Sequence, residues 1–264
     1  MTQDEILLTS ILNCQRSDLY TGAVSLSHRD TQEFFRKKNK LSCGIPLQYV
    51  IGNTEFFGLV FKVDERVFIP RPETEILVEE ALKYIRNRNV DTGINILEIG
   101  TGSGCIAVSL AKNLNRVKIT ALDISYLALE VARENAKINS VEEKIYFGQS
   151  DIFLKCVESG TYDMIISNPP YIASCDMELL PQEVRREPAV ALDGGPDGLG
   201  FYRRIIKEAP RFLKRDGLLF LEMGCGQCPA IKNIFQNTNN FEIIEVAKDY
   251  NNIERVAIAR RKDG

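Results

Sequence analysis

Ile94-Asn95-Ile96-Leu97-Glu98-Ile99-Gly100-Thr101-Gly102-Ser103-Gly104 decides how the rest of the chain is read. An apolar run of strand length ends in three glycines at alternate positions, and apolar residues resume at Cys105 with helical spacing. A strand that turns on glycine into a helix is the opening unit of a sheet with crossover helices. Outward from it the pattern repeats, with a strand at 118–122 ending in Asp123, a helix over Tyr126–Ile138, and strands at 144–147 and Tyr162–Ser167. A long loop at 172–198 is followed by a helix near 199–213 and by strands at 218–223, 241–246 and 256–259. This alternation predicts an α/β fold, a mostly parallel sheet with helices on both faces. The short polar turn from Lys248 to Glu254 predicts an antiparallel hairpin at one edge.

Ahead of the sheet the character changes. Residues 1–50 are polar, with apolar clusters (Ile6, Leu7, Leu8, Ile11, Leu12; Phe34, Phe35) too small for a core of their own, which predicts a short helical N-terminal domain. Arg36, Lys37, Lys38 and Lys40 read as a solvated helix face. Residues 51–69 interleave Phe56, Phe57, Leu59, Phe61 and Val63 with polar residues around Gly58, a linking β-hairpin. Residues 70–264 then form the α/β domain.

With 264 residues, 44% hydrophobic, the chain is long enough to bury a sizeable core. Its net charge of −3 supplies no positive field for nucleic-acid backbones or anionic membranes, so no stable nucleic-acid binding is expected. No apolar run approaches the ~20 residues of a membrane span, and Met1-Thr2-Gln3-Asp4-Glu5 lacks the basic start of a signal peptide. A cytoplasmic location is expected. Seven cysteines, an odd number scattered through apolar segments, fit reduced core thiols. Cys225 and Cys228 have redox or metal spacing, but no second pair or histidine completes a zinc site, and no metal is expected.

The glycine loop is a candidate ligand site, since glycine admits a ligand to the backbone and a helix N-terminus offers unpaired N–H groups. Alone it fits either a dinucleotide site or a tight turn. Gly100-x-Gly102-x-Gly104 lacks the two-residue gap of the dinucleotide fingerprint, and Glu98 adds a carboxylate suited to a cationic ligand. S-adenosylmethionine carries both a sulfonium and an ammonium. Gly100, Thr101, Gly102, Ser103, Gly104 and Glu98 are therefore candidate cofactor residues, with Asp123 placed to bind ribose hydroxyls. Asp151 is a candidate acceptor for the adenine amine, with a helix cap as its competing role, and Ile152 a packing surface for the ring.

Asn168-Pro169-Pro170-Tyr171 ends the strand at Tyr162–Ser167. Two prolines cannot continue a central ladder, so the carbonyls of Asn168 and Pro169 lose their strand partners. With the Asn168 side-chain oxygen they form rigid acceptors for a planar NH2 group, while Tyr171 and Pro170 border it. Asn168, Pro169 and Tyr171 are the catalytic candidates, and Asn168 also adjoins the cofactor. Arg71 and Glu73, on the stiff segment Ile69-Pro70-Arg71-Pro72-Glu73 that opens a helix, are possible site residues or a helix cap.

Together these residues resemble an S-adenosylmethionine-dependent methyltransferase acting on planar nitrogen. The likeness extends through IPRPETE at 69–75, VRREP at 184–188, GGPDGL at 194–199, LEMGCGQ at 221–227 and NIERV at 252–256. This wider set resembles the peptide chain release factor N5-glutamine methyltransferases. The resemblance implies a Rossmann-like seven-stranded methyltransferase domain and, as acceptor, the glutamine of the Gly-Gly-Gln loop of release factors. The N-terminal helical region looks shorter than in most relatives, and Ile152 stands where some place tryptophan. Rival readings are an adenine N6-methyltransferase of nucleic acid, a noncatalytic S-adenosylmethionine-binding assembly protein, and a nicotinamide oxidoreductase, which leaves Asn-Pro-Pro-Tyr unexplained.

Overall fold

Four helices come first: α1 (Gln3–Leu12), α2 (Asp18–Thr21), α3 (His28–Ser42) and α4 (Leu47–Ile51). They belong to a computed structural model that describes residues 2–87, 93–153 and 160–262. Thr2 and Ser27 open α1 and α3 with reciprocal capping boxes, to Glu5 and Asp30. Leu7 and Val50 are the hydrophobic side chains of these helices that become buried, Leu7 completely. The basic run on α3 is solvated and partly paired, Arg36 with Glu33 and Lys38 with Asp4.

The hairpin is β1 (Asn53–Phe56) and β2 (Leu59–Lys62). Phe57 and Gly58 join them with φ of 52° and 69°, the positive pair that a two-residue hairpin turn requires. The Phe57 N–H donates to Glu75 at 2.7 Å, which helps hold a side chain in a conformation that otherwise favours glycine. Phe56 and Phe61 are buried against the sheet domain.

The chain continues through α5 (Pro72–Asn87), β3 (Ile94–Ile99), α6 (Cys105–Asn113), β4 (Val117–Asp123), α7 (Tyr126–Ile138), β5 (Ile145–Gln149) and β6 (Tyr162–Ser167). It ends with α8 (Gly200–Glu208), β7 (Leu213–Glu222), α9 (Cys228–Thr238), β8 (Phe241–Lys248) and β9 (Glu254–Arg261). The sheet order is β5-β4-β3-β6-β7-β9-β8, parallel except for β9, which runs antiparallel to both neighbours. Both faces are covered. Ile96, Met164, Ile166, Leu218 and Phe220 face one core with α5 and α6, while Leu97, Ile165, Leu219 and Leu221 face another with α8 and α9. Successive strand residues thus divide between two cores, as a doubly covered sheet demands.

Three expectations change. The strand expected at 218–223, β7, begins at Leu213, because Leu213 pairs with Tyr162 before a register shift lets Leu218 pair with Met164. The helix near 199–213 stops at Glu208, and the 3-10 turn Ala209–Arg211 follows with Pro210 inside it. The cysteines are not uniformly core thiols: Cys105 and Cys228 are buried, but Cys43, Cys175 and Cys225 are exposed. Cys156 lies outside the described residues.

Candidate active site

From β3 the chain steps outward to β4 and β5, then returns to β6 on the other side of β3. The strand order reverses there, and the crevice outside the carboxyl ends of β3 and β6 is where an open α/β sheet accepts a ligand. A cavity of about 280 Å³ occupies that position. The glycine loop forms one side and the Asn-Pro-Pro-Tyr turn the other.

Gly100, Gly102 and Gly104 all have positive φ, and a Cβ on Gly100 or Gly102 would meet open space. The cavity therefore reaches the loop backbone. Gly104 differs, since a Cβ there would come within 3.1 Å of Ala132 on α7. Asp123, at the end of β4, accepts from the Gly102 N–H at 2.8 Å and the Ser125 N–H at 2.9 Å. Burial nevertheless pushes its carboxyl above the usual range, with those backbone bonds pulling it back. Thr101 and Ser103 are buried cavity-lining residues. The Ser103 carbonyl accepts from Asn135 of α7, whose side chain also bonds both backbone groups of Lys62. Asn135 so ties the hairpin to the glycine loop.

Across the cavity, Ser167 donates to the Ile99 carbonyl at 2.7 Å and joins the ends of β6 and β3. Asn168 is half-buried, and its Nδ2 donates to Thr74 Oγ1 at 3.1 Å. The Tyr171 carbonyl accepts from Gln227 Nε2 at 2.9 Å, while Gln227 Oε1 accepts from the Gly224 N–H. Gly194 lies so close that a Cβ on it would stand 2.7 Å from the Pro170 carbonyl. These contacts pin the turn from its outer side. Burial pushes the Tyr171 hydroxyl up to about 12, so it is neutral in the physiological range.

Asp151 stands at the cavity rim, exposed and ion-paired to Arg204 at 2.8 Å. Ile152 is buried in the lining with φ of 71°, a strained conformation for a β-branched residue. Arg71 lines the cavity, lies 4.7 Å over the Phe68 ring and pairs with the buried Glu187. Glu73 is absent from the lining. So is Glu98, which is fully buried beneath the loop with Oε2 accepting from the Thr101 hydroxyl at 2.7 Å and Oε1 unpartnered. Burial raises its carboxyl to about 8. A group so placed shapes the loop through Thr101 and does not face a ligand.

Thr74, Glu187, Glu222, Gln227 and Asn135 support the site but carry no sequence signal of their own. Four of them, Thr74, Glu187, Glu222 and Gln227, fall inside the stretches quoted above for the resemblance, which is the signal that could have found them; Asn135 does not. Among the described residues no group of three or more His, Cys, Asp or Glu is arranged to hold a metal.

The family model described as "Methyltransferase small domain" matches residues 74–187. A release factor glutamine methyltransferase of Thermodesulfovibrio yellowstonii is 43% identical over 259 residues, covering 97% of this chain and 90% of that protein. The enzyme of the same name from Chlorobaculum tepidum is 38% identical, covering 95% and 87%. One from Fusobacterium nucleatum is 42% identical over 82% of this chain, which spans only 60% of that relative. Among solved structures, a methyltransferase from Pyrococcus furiosus superposes with TM-score 0.56 at 20% identity over 90% of this chain and 100% of that one. The hMettl16 catalytic domain superposes with TM-score 0.61 at 18% identity over 79% and 77%. At such identities these structures establish the shared Rossmann-like methyltransferase fold. The sequence relatives go further: this chain belongs to the release factor glutamine methyltransferase family.

Proposed function

We propose that this protein transfers a methyl group from S-adenosylmethionine to the side-chain amide nitrogen (N5) of the glutamine in the Gly-Gly-Gln loop of peptide chain release factors, leaving S-adenosylhomocysteine. What chiefly supports the reading is the turn Asn168-Pro169-Pro170-Tyr171, set opposite the glycine loop across one cavity. The cavity suits the cofactor. Open backbone at Gly100 and Gly102, the lining residues Thr101 and Ser103, and the Asp123 carboxylate suit its polar parts, with Gly104 seating the loop against α7; Ile152 offers an apolar wall and Asp151 a rim acceptor for its adenine. When bound, S-adenosylmethionine supplies the transferable methyl carbon.

An amide nitrogen is a poor nucleophile because its lone pair is delocalised into the carbonyl. Asn168 Oδ1 and the Pro169 carbonyl, accepting its two hydrogens, localise that pair and orient it. Positive charge grows on the nitrogen as it attacks, and acceptors fixed beforehand stabilise that charge more than the ground state. Tyr171 lends a flat face to the carboxamide. The methylated nitrogen is then acidic enough to lose its proton to water, so this mechanism calls for neither a metal nor a covalent enzyme intermediate. Release factors in the cytoplasm are the partners in this reading, with 1–50, 51–69 and 70–264 as helical, linking and catalytic parts of the chain.

Adenine N6 is also a planar amine and would meet the same acceptors. The net charge of −3 counts against it, since nucleic-acid binding draws most of its affinity from cationic contacts to phosphate. Labelled S-adenosylmethionine incubated with release factor, DNA and RNA in parallel tests the choice. Label in release factor alone supports the proposal; label in nucleic acid and none in release factor defeats it.

A further inference from the structure

Behind Asn168, at the carboxyl end of β7, Glu222 is 2% exposed, and Thr74 on the first turn of α5 is likewise 2% exposed. Thr74 reaches the cavity wall, and Glu222 lies behind it, outside the lining. Asn168 Nδ2 donates to Thr74 Oγ1 at 3.1 Å. Pairing of Ser167 with Leu221 brings Asn168 beside Glu222, whose carboxylate faces both side chains and whose Oε2 has no hydrogen-bond partner. We propose that Thr74 and Glu222 are positioning residues that set the sense of the Asn168 amide, turning its NH2 inward and its Oδ1 toward the cavity. The inference rests on the reading of Asn168 as an acceptor for the substrate amide.

A side-chain amide has two ends of nearly equal shape and opposite hydrogen-bonding character, so something must choose between them. Ionised Glu222 chooses, because a carboxylate only accepts. Thr74 Oγ1 already accepts from Asn168, so its single proton is the one it has to offer the carboxylate beside it. Asn168 then meets two acceptors on its inner side, and only its NH2 satisfies them. Oδ1 is left outward, the orientation in which it receives a hydrogen from a substrate amide. Inverted, the amide would aim its own NH2 at the substrate NH2, donor against donor.

Protonated Glu222 removes the choice, since it gains an O–H that can be offered to Asn168 Oδ1. Burial pushes its carboxyl up to about 7, against the pull of Thr74, Arg255 and Asn168, with Glu73 adding to the rise. The other titratable groups facing it are Tyr171 after β6, Tyr202 of α8 and Cys105 of α6. All three are held neutral by burial. Arg255 of β9 is engaged with Asp249 at 2.8 Å, so it does not serve as a direct counter-ion. The productive sense of Asn168 is therefore lost as pH falls through the Glu222 carboxyl.

The test is kcat against pH at saturating release factor, with S-adenosylmethionine affinity by calorimetry, for wild type, Thr74→Val, Thr74→Ser, Glu222→Gln and Asn168→Ala. Thr74→Val should lower kcat by about 10–100-fold, the scale of a misaligned reacting group, with cofactor affinity unchanged as evidence of folding. Thr74→Ser should recover most of it. Glu222→Gln should lower kcat and abolish the acid limb, because its amide neither ionises nor fixes a direction. Thr74→Val at wild-type kcat, or an unchanged acid limb in Glu222→Gln, overturns the inference while a damaged Asn168→Ala leaves the reading of Asn168 intact. Unimpaired Asn168→Ala overturns both.

Discussion

Replacing Glu98 by glutamine should stabilise the protein, by a margin that grows as pH rises from 4.5 to about 8 and is constant above it. The Glu98 side chain is fully buried under the glycine loop, with Thr101 as partner for one oxygen and none for the other. Desolvation is the main reason its carboxyl rises from 4.5 to about 8, with the Thr101 hydroxyl and the nearby Ala107 backbone N–H opposing and Asp123 adding to the rise. Because the folded pKa is the higher, the unfolded chain releases this proton first as pH climbs, and native stability falls through the window between the two values. Below the window both states hold the proton; above it the loss is complete. At about 1.4 kcal/mol per pH unit of separation the full cost approaches about 5 kcal/mol, and water entering beneath the loop reduces the measurable part to about 2–5 kcal/mol. Glutamine keeps an acceptor for Thr101 and carries no charge, so this loss disappears. Urea unfolding of both proteins from about pH 5 to about pH 9 reads the difference directly, the variant drawing ahead as pH rises. A difference that stays constant over that range would show that Glu98 ionises in the fold as readily as in water, and would refute the reasoning.

Asp123→Ala should weaken S-adenosylmethionine binding by about 1.5–3 kcal/mol, the worth of charge-assisted bonds to ribose hydroxyls. Calorimetry on the folded variant would show unchanged affinity if Asp123 only caps the loop. Gly194→Ala puts a methyl 2.7 Å from the Pro170 carbonyl and 2.8 Å from the Gly198 carbonyl, both backbone atoms that must move. A stability loss of about 1–3 kcal/mol is expected, with methyl transfer falling more than cofactor affinity; a wild-type transfer rate would mean that the turn is not pinned from that side.

Much of the fold is legible because a sheet covered on both faces writes long apolar runs, such as Leu218–Leu219–Phe220–Leu221, between helical repeats. The first residues of β7 are not legible. Lys214-Arg215-Asp216-Gly217 reads as a turn, and only pairing of Leu213 with Tyr162 makes the segment part of a strand. At the site, glycine and proline announce themselves because their effects are on the local backbone. Asn135, Gln227 and the Thr74–Asn168 contact act between distant segments, the last across 94 residues, and no local pattern encodes them. Glu98 illustrates a different limit. It is adjacent to the loop in sequence, but strand alternation turns it to the same face as Ile96, toward α5 and α6 and away from the cavity.

The central claim is that an NH2-bearing carboxamide, held by acceptors on its hydrogens, receives the methyl group. Intact-mass spectrometry tests it most directly, with release factor carrying Gln, Glu or Asn in its Gly-Gly-Gln loop as acceptor. The Gln protein should gain the mass of one methyl group. The Glu protein should gain none, having neither hydrogens for Asn168 and Pro169 nor a nitrogen to methylate, and Asn should fail because an amide misplaced by ~1 Å loses ~10²-fold in rate. A methyl group on the Glu variant, or none on the Gln protein under conditions where the enzyme binds cofactor, would contradict the account.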